Sequence, residues 1–317
     1  VESTGEAVSP FHKQKRNRLE GGCPVHTLKQ TRLAIFIGLF PALVIYLGIA
    51  IIPIGISLYY SVMDWNGIGK MTFIGLDNYS RILTDDTFWL SVQNNVVIML
   101  TGLVGQIPLG LIMALLLNRG LKGSGFFRTV GFMPVVISSV MVSLIWGMIY
   151  NTEYGMLNSM LAFFGLGSWQ QNWLGDMKWS MLSISVAYIW QNCGLYMVIF
   201  LAALQNIPDE VNEAAELDGA TGFRRTLHIT IPMLRSTIMV AVVYSISNSF
   251  RVFDLIQVLT GGGPAHQTEV MTLYMYNSAF MNLRYGYGSA VSILILLFSL
   301  IVISIVNRIG REKDARG

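Results

Sequence analysis

Six apolar stretches, each about twenty residues or longer, constrain this chain more than any other feature: 33–61, 92–117, 129–150, 179–204, 236–259 and 285–306. A hydrocarbon core of about 30 Å is crossed by roughly 20 residues of helix rising about 1.5 Å each. Helices also satisfy their own backbone groups where no water is available. The expected fold class is therefore all-α, an integral membrane protein with six transmembrane helices. Composition agrees: 53% of the residues are hydrophobic and 12% charged, too few charges to cover a soluble protein of 317 residues. Pro41, Pro53, Pro108 and Pro134 fall inside the runs, where membrane helices tolerate them better than soluble ones do.

Lys and Arg set the expected orientation. Sixteen of the 21 basic residues lie in the N-terminal tail 1–32, the loops 118–128 and 205–235, and the C-terminal tail 307–317. The opposite set, 62–91, 151–178 and 260–284, carries four, and Arg251 lies within the fifth run. The positive-inside rule places the first set and both termini in the cytoplasm. The tail 1–32 is polar and Gly/Pro-marked, a disordered arm by composition. The first run follows the basic stretch KQKR at 13–16. It is too long for a signal-peptide core and lacks a small-x-small cleavage site, so it is expected to stay as an anchor. In the outer loops, WQQNWLGDMKW (169–179) reads as aromatic anchoring at the interface rather than as a sugar platform.

Catalytic patterns are missing from the sequence. There is no GxxxxGK[ST] phosphate loop, no HExxH and no GxSxG. His12, His26, His228 and His266 are scattered, and Cys23 and Cys193 have no metal-ligand spacing. The chain is expected to be no enzyme, to hold no cofactor or metal, and to bind no nucleic acid.

One segment stands apart. PDEVNEAAELDGATGFRRTLHITIPML (208–234) gathers five carboxylates, two adjacent arginines and a histidine between two apolar runs. Pro208 suits the first position of a helix, and Asp209 and Glu210 in the first turn complement its dipole. Gly219 is expected to end that helix, and Gly222 to mark a break before a second short helix from Phe223. The small face of Ala214, Ala215 and Gly219 permits close approach of another surface, which the charges would select and orient. An ordinary connector is the alternative, although the segment is long for one.

EAAELDGATGFRRTLHITIP resembles the EAA loop of ABC importer permeases, with Glu213, Ala214, Ala215, Asp218, Gly219, Ala220, Ile229 and Pro232 at the motif positions. Leu227 stands where the carbohydrate branch often has Phe. DLIQVLTGGGPAHQTEVMTLYMYNSAF (254–280), FIGLDNYSRIL (73–83) and IWQNCGLYMVIFLAALQNIPDEVNEAA (189–215) resemble segments of the same carbohydrate-uptake, maltose-type branch. The resemblance covers most of 33–306 and leaves out the N-terminal tail.

The resemblance implies the type I ABC importer permease fold over 33–306, with 205–235 as the coupling loop. It implies as partners a second homologous permease (a heterodimer), two ATPase subunits that bind ATP and Mg, an extracytoplasmic solute-binding protein, and a saccharide. The setting would be a bacterial or archaeal cytoplasmic membrane. In such transporters the EAA helix sits in a cleft of the ATPase, whose closure drives alternating access. Glu213, Ala214, Ala215, Asp218, Gly219, Ala220 and Arg224 would form the coupling surface, with Glu213 on the ATPase, Gly219 setting the turn, and Asp218 capping or pairing near the arginines. A polyol or glycerol-phosphate-like solute is the alternative cargo, and an ion-coupled secondary carrier is the alternative class.

Transported solute would lie at mid-membrane, where polar side chains are costly unless used. Ser245, Asn248 and Ser249 share a face of the fifth run at i, i+3 and i+4. The fourth offers Trp190, Gln191, Asn192, Gly194 and Tyr196. Amides and hydroxyls exchange hydrogen bonds with sugar hydroxyls, and aromatic rings cover apolar sugar faces. The matching positions of the maltose-type permeases line the sugar site. Interhelical hydrogen bonding is the competing role for each of them. Arg251 and Asp254, at i and i+3, have two open readings: an intramembrane ion pair, or an Arg251 that holds an anionic solute.

Overall fold

The computed structural model describes residues 28–120 and 122–314. The KQKR stretch, Cys23, His12 and His26, and most of the expected disordered arm, lie outside the described residues. Residues 28–32, expected in that arm, are already helical.

Contacts divide the chain into two units, Val1–Ile56 and Ser57–Gly317. In the first, α1 (Leu28–Tyr46) passes through a π turn (Leu47–Ile51) into α2 (Ile52–Ser61), whose last residues belong to the second unit. The apolar residues of α1 recur on all sides rather than along one stripe, as expected of a helix surrounded by apolar material.

The second unit opens with a small antiparallel hairpin, β1 (Met63–Asp64) with β2 (Thr72–Phe73), and continues into α3 (Asp77–Leu83). Helix α4 (Asp86–Thr101) leads through a π turn (Gly102–Gln106) to α5 (Ile107–Leu117). Next come α6 (Ser124–Val136), α7 (Ser139–Ile149), α8 (Met156–Phe163) and α9 (Ser180–Leu204). The charged segment forms α10 (Asp209–Leu217), α11 (Gly222–Arg225), a π turn (Thr226–Thr230) and α12 (Ile231–Met233). Helices α13 (Arg235–Ser249), α14 (Asp254–Leu259), α15 (Met271–Tyr276) and α16 (Tyr285–Asp314) complete the chain.

Among the described residues, four helices are long and apolar enough to cross a membrane: Ile37–Ser61, Asp86–Leu117, Ser180–Leu204 and Tyr285–Gly310. Two bent pairs raise the count to six if each is one span: Ser124–Val136 with Ser139–Ile149, bent by 100°, and Gly222–Met233 with Arg235–Ser249, bent by 70°.

Proline shapes three of these segments in the same way. A proline ring clashes with the carbonyl four residues back and cannot donate to it. Ahead of Pro53, Pro108 and Pro232 the chain widens into a π turn, so that Ile52, Ile107 and Ile231 donate to the carbonyls of Leu47, Gly102 and Thr226, five residues back. The helix accommodates each ring by one wide turn instead of ending.

Helix α9 is the pillar of the second unit, packing against α5 and α6. Glycine makes both approaches possible. A Cβ on Gly110 would lie 2.6 Å from Tyr196 Cβ, and one on Gly194 would lie 2.1 Å from the Gly131 carbonyl oxygen. Such small-residue contacts substitute for the hydrophobic effect that lipid surroundings remove. Ile107, Ala114, Met197, Phe200 and Leu204 fill one end of the bundle; Ile98, Val142, Ile184, Ile256 and Leu273 fill another region.

The fifth apolar run does not continue to 259. Helix α13 ends at Ser249, Arg251 lies in a turn, Val252 and Phe253 are outside helix, and α14 starts at Asp254. Side chains bond the backbone freed by this break. Asn95 Nδ2 donates to the Ser249 carbonyl at 3.0 Å, Thr272 Oγ1 to Val252 at 2.6 Å, and Ser143 Oγ to Leu255 at 3.3 Å. Irregular backbone is tolerated between spans only with such partners. The third run is likewise divided, at Ile137 and Ser138, both extended, where Ser138 Oγ accepts the Met141 amide and caps α7.

Candidate functional site

Both breaks open onto one cavity of about 420 Å³. Its wall includes Ser138 and Ser139 from the α6–α7 break, Tyr188, Gln191 and Asn192 from the middle of α9, and Tyr244 and Asn248 from α13. Arg251, Phe253 and Asp254 join them from the α13–α14 break. Discontinuous helices bring backbone ends and polar side chains to one place within a bundle.

Within the cavity the polar groups orient one another. Gln191 Nε2 donates to Ser139 Oγ at 3.0 Å, and Asn192 Nδ2 to the Tyr188 carbonyl at 3.0 Å. Asn248 Nδ2 reaches Tyr188 Oη at 3.4 Å. The amide oxygens of Gln191, Asn192 and Asn248 make no hydrogen bond among the described residues, so acceptors and hydroxyls face the cavity with the rings of Tyr188, Tyr244 and Phe253. This surface suits a neutral or weakly charged polyhydroxylated solute.

Of the residues expected to line a solute path, the structure gathers Gln191, Asn192, Asn248 and Arg251 here and places the others elsewhere. Gly194 is the contact between α9 and the Gly131 carbonyl. Tyr196 is fully buried, its ring 6.3 Å from Tyr244 in an edge-on pair. Ser245 faces Gly102, where a Cβ would lie 2.3 Å from its Oγ. Ser249 Oγ bonds the Ile246 carbonyl within its own helix. Trp190 lies edge-on to Trp146 at 5.8 Å, outside the cavity. The expected Arg251–Asp254 ion pair is not formed: the i, i+3 geometry needs a continuous helix, and the helix stops at Ser249. Both residues are exposed at the cavity.

Tyr188, Tyr244, Ser138 and Ser139 were missed from sequence. Tyr188 precedes Asn192 by four residues and Tyr244 precedes Asn248 by four, so helical spacing carried that signal. The serine pair needed the break in the third run to be seen.

The charged segment is a second, separate surface. Pro208 stands one place before α10 rather than at its first position. Gly219, with φ +72°, closes the helix: the Ala220 amide donates to the Ala215 carbonyl at 2.8 Å, and the Gly219 amide to Glu216 at 3.0 Å. This is the Schellman arrangement, which requires a left-handed residue after the helix. Ala215 is buried while Glu213, Ala214, Asp218, Gly219 and Arg224 are exposed. Pairing with the arginines falls to Glu216, whose Oε1 lies 2.9 Å from Arg225 Nη1, and not to Asp218. Leu217 and Phe223, on either side of the Gly219 turn, are 89% and 79% exposed. These two apolar side chains were also missed, although they are conspicuous in so charged a stretch.

Beyond the cavity, Asp85 caps α4 by accepting the Thr87 and Phe88 amides, and Tyr274 Oη donates to it at 2.7 Å. Burial works against the charged form of Asp85, but the bonds from Tyr274, Thr87 and Phe88 outweigh it and leave the pKa lowered. Burial, and then the neighbouring Tyr287 and Asp85, push the Tyr274 phenol up, so it stays the donor.

A mostly helical chain with four to six candidate spans among its described residues, a polar cavity at the breaks of its bent segments and a separate exposed turn is a membrane protein by class. Residues 106–314 match the family described as binding-protein-dependent transport system inner membrane component. The probable ABC transporter permease protein YurN of Bacillus subtilis is 39% identical over 276 residues, 86% of this chain and 94% of that protein. The trehalose/maltose transport system permease protein MalF of Thermococcus litoralis is 34% identical over 280 residues, 88% of this chain and 94% of that one. Among solved structures, a bacterial ABC transporter involved in the import of the acidic polysaccharide alginate superposes with a TM-score of 0.77 at 22% identity, covering 95% of this chain and 98% of that one. The chain belongs to the binding-protein-dependent family of inner-membrane transport permeases, and it is a multi-pass membrane protein.

Proposed function

We propose that this chain is the membrane-spanning subunit of an ATP-driven importer that takes up a saccharide delivered by an extracytoplasmic solute-binding protein. The observation that carries this reading is the cavity of amides, hydroxyls and aromatic rings halfway along α9, lined by Gln191, Asn192, Tyr188 and Asn248. Trehalose and maltose in the name of the 34% identical relative favour the same cargo class. In this reading the two bent pairs each count as one of six spans, and the distribution of basic residues favours a cytoplasmic side for both termini and the 205–235 loop, in a bacterial or archaeal cell.

Alternating access then needs no chemistry on the solute. Two ATPase subunits, carrying ATP and Mg, close on each other and move the exposed α10–Gly219–α11 turn of this chain and of a second, related permease. Glu213, Ala214, Asp218 and Arg224 offer charge to the ATPase cleft, and Leu217 and Phe223 offer apolar anchors. Ala215 and Ala220 hold the turn in shape through the bond between them. The cavity opens outward to the binding protein and then inward to the cytoplasm.

Co-purification tests the coupling assignment. An ATPase subunit is expected to be retained by the wild type and lost from Glu213→Ala. Retained ATPase and transport after deletion of 209–222 would overturn it. A second reading, an acidic saccharide as cargo, is favoured by the exposed Arg251 in the cavity. In Arg251→Gln, a larger loss for acidic than for neutral saccharides supports that reading, and equal losses remove it.

A further inference from the structure

Another cavity, of about 290 Å³, lies where the ends of α5 and α9 meet the start of α11, well apart from the cavity at mid-α9. Its polar wall is Asn118, Arg119, Arg225, Thr226 and Thr230, and its apolar floor is Leu115, Leu204 and Ile207. Two guanidinium groups share it, and among the described residues that line it there is no carboxylate. Arg119 has no ion-pair partner among the described residues. Arg225 has one, Glu216, but that carboxylate comes from α10 outside the cavity and its side chain is 62% exposed. An ion pair so open to water is weak and displaceable.

We propose that this cavity is a binding site for a phosphate group, held between Arg119 and Arg225. Planar guanidinium forks match phosphate oxygens in bidentate geometry, and the neighbouring Thr230 hydroxyl and Asn118 amide add neutral donors. The basic residues assign this end of the spans to the cytoplasm. The same chemistry is offered there by the headgroup of an anionic phospholipid and by a soluble phosphate compound. The apolar floor at the ends of two candidate spans gives the headgroup's glycerol and first methylenes a surface to lie on.

The site carries a consequence for the exposed turn. Glu216 and a bound phosphate compete for Arg225, so occupancy removes the ion pair that links α10 to α11. That consequence rests on the reading of the turn as the ATPase-docking element, whereas the binding itself does not.

The complete transporter, in a neutral detergent and without nucleotide, is titrated with dioctanoyl phosphatidylglycerol, with dioctanoyl phosphatidylcholine, and separately with inorganic phosphate. Binding is followed by native mass spectrometry, and the difference between wild type and variants isolates this site from any phosphate held by the ATPases. Phosphatidylglycerol bound by the wild type, weakened about tenfold or more in R119Q/R225Q and tightened in E216Q, establishes the site with a lipid source. The same pattern with inorganic phosphate, and none with the lipid, establishes it with a soluble source. Binding of both lipids alike, or binding of any probe unchanged by the variants, overturns the proposal. Should R119Q/R225Q fail to assemble, E216Q decides alone: binding no tighter than the wild type's overturns it.

Discussion

Adding one methyl group at residue 194 separates two roles that the sequence left open for it. Gly194 lies on α9 with the Gly131 carbonyl of α6 against it, and a Cβ there would sit 2.1 Å from that oxygen and 2.9 Å from the Gly131 carbonyl carbon. Carbon and oxygen in contact need at least about 3 Å, so Gly194→Ala forces the two backbones apart by roughly 1 Å. No flexible side chain is available to yield, because the obstacle is main chain. Overpacking of this kind costs about 1–3 kcal/mol. Gly147→Ala is the matched control: its Cβ would meet nothing within 4 Å, and alanine gains up to about 1 kcal/mol of helix propensity over glycine. Thermal unfolding of the purified complex is the assay, with solute KM measured alongside. Gly194→Ala should lower the unfolding midpoint and leave KM nearly unchanged, while Gly147→Ala holds or raises the midpoint. A Gly194→Ala protein as stable as the wild type but with raised KM would refute the packing argument and return Gly194 to the solute path.

Asn95→Leu removes the donor to the Ser249 carbonyl and the acceptor of the Met271 amide at 2.8 Å. Each buried group left unpaired costs about 1–3 kcal/mol, to be read as reduced resistance to urea or heat. Asp85→Asn bears on pH. Because the folded-state pKa of Asp85 is lowered, its contribution is present above the ordinary carboxylate value near 3.9 and fades as the pH falls through the folded value. Unfolding followed from neutral pH down to about pH 3 should therefore show a smaller acid-dependent loss in Asp85→Asn than in the wild type. Gln191→Leu removes a cavity amide and its bond to Ser139. Solute KM is expected to rise about tenfold, the worth of one or two lost hydrogen bonds, with ATPase retention unchanged.

Hydropathy made the helical membrane class legible, because runs of this length have no other way to satisfy their backbone. It placed the fourth run, expected at 179–204, within one residue of α9. It failed at the breaks. Residues 236–259 stay apolar across Arg251, and nothing local marks the end of α13 at Ser249, since the partners that bond the opened backbone are Asn95, Thr272 and Ser143, distant in sequence. Of the two open readings of Arg251, the ion pair with Asp254 is not formed for the same reason. The π turns ahead of Pro53, Pro108 and Pro232 are local, and a proline in an apolar run announces a distortion without saying which one.

The candidate sites divide along similar lines. In the exposed turn, Gly219 ends α10 because its left-handed conformation excludes most side chains, a local rule that the sequence states directly. Around the cavity, helical periodicity brought Gln191, Asn192 and Asn248 to notice. It could not tell the lining side of α9 from the packing side, where Gly194 and Tyr196 lie, because that choice depends on which helices α9 meets.

ATP-driven uptake by the reconstituted complex tests the proposed function most directly. Labelled saccharide, its loaded binding protein, and ATP on the ATPase side are supplied to proteoliposomes holding this permease with its partner subunits. Uptake should require all three and collapse in Glu213→Ala, with ion gradients making no difference. Uptake by this chain alone, driven by an ion gradient and indifferent to ATP, would contradict the account.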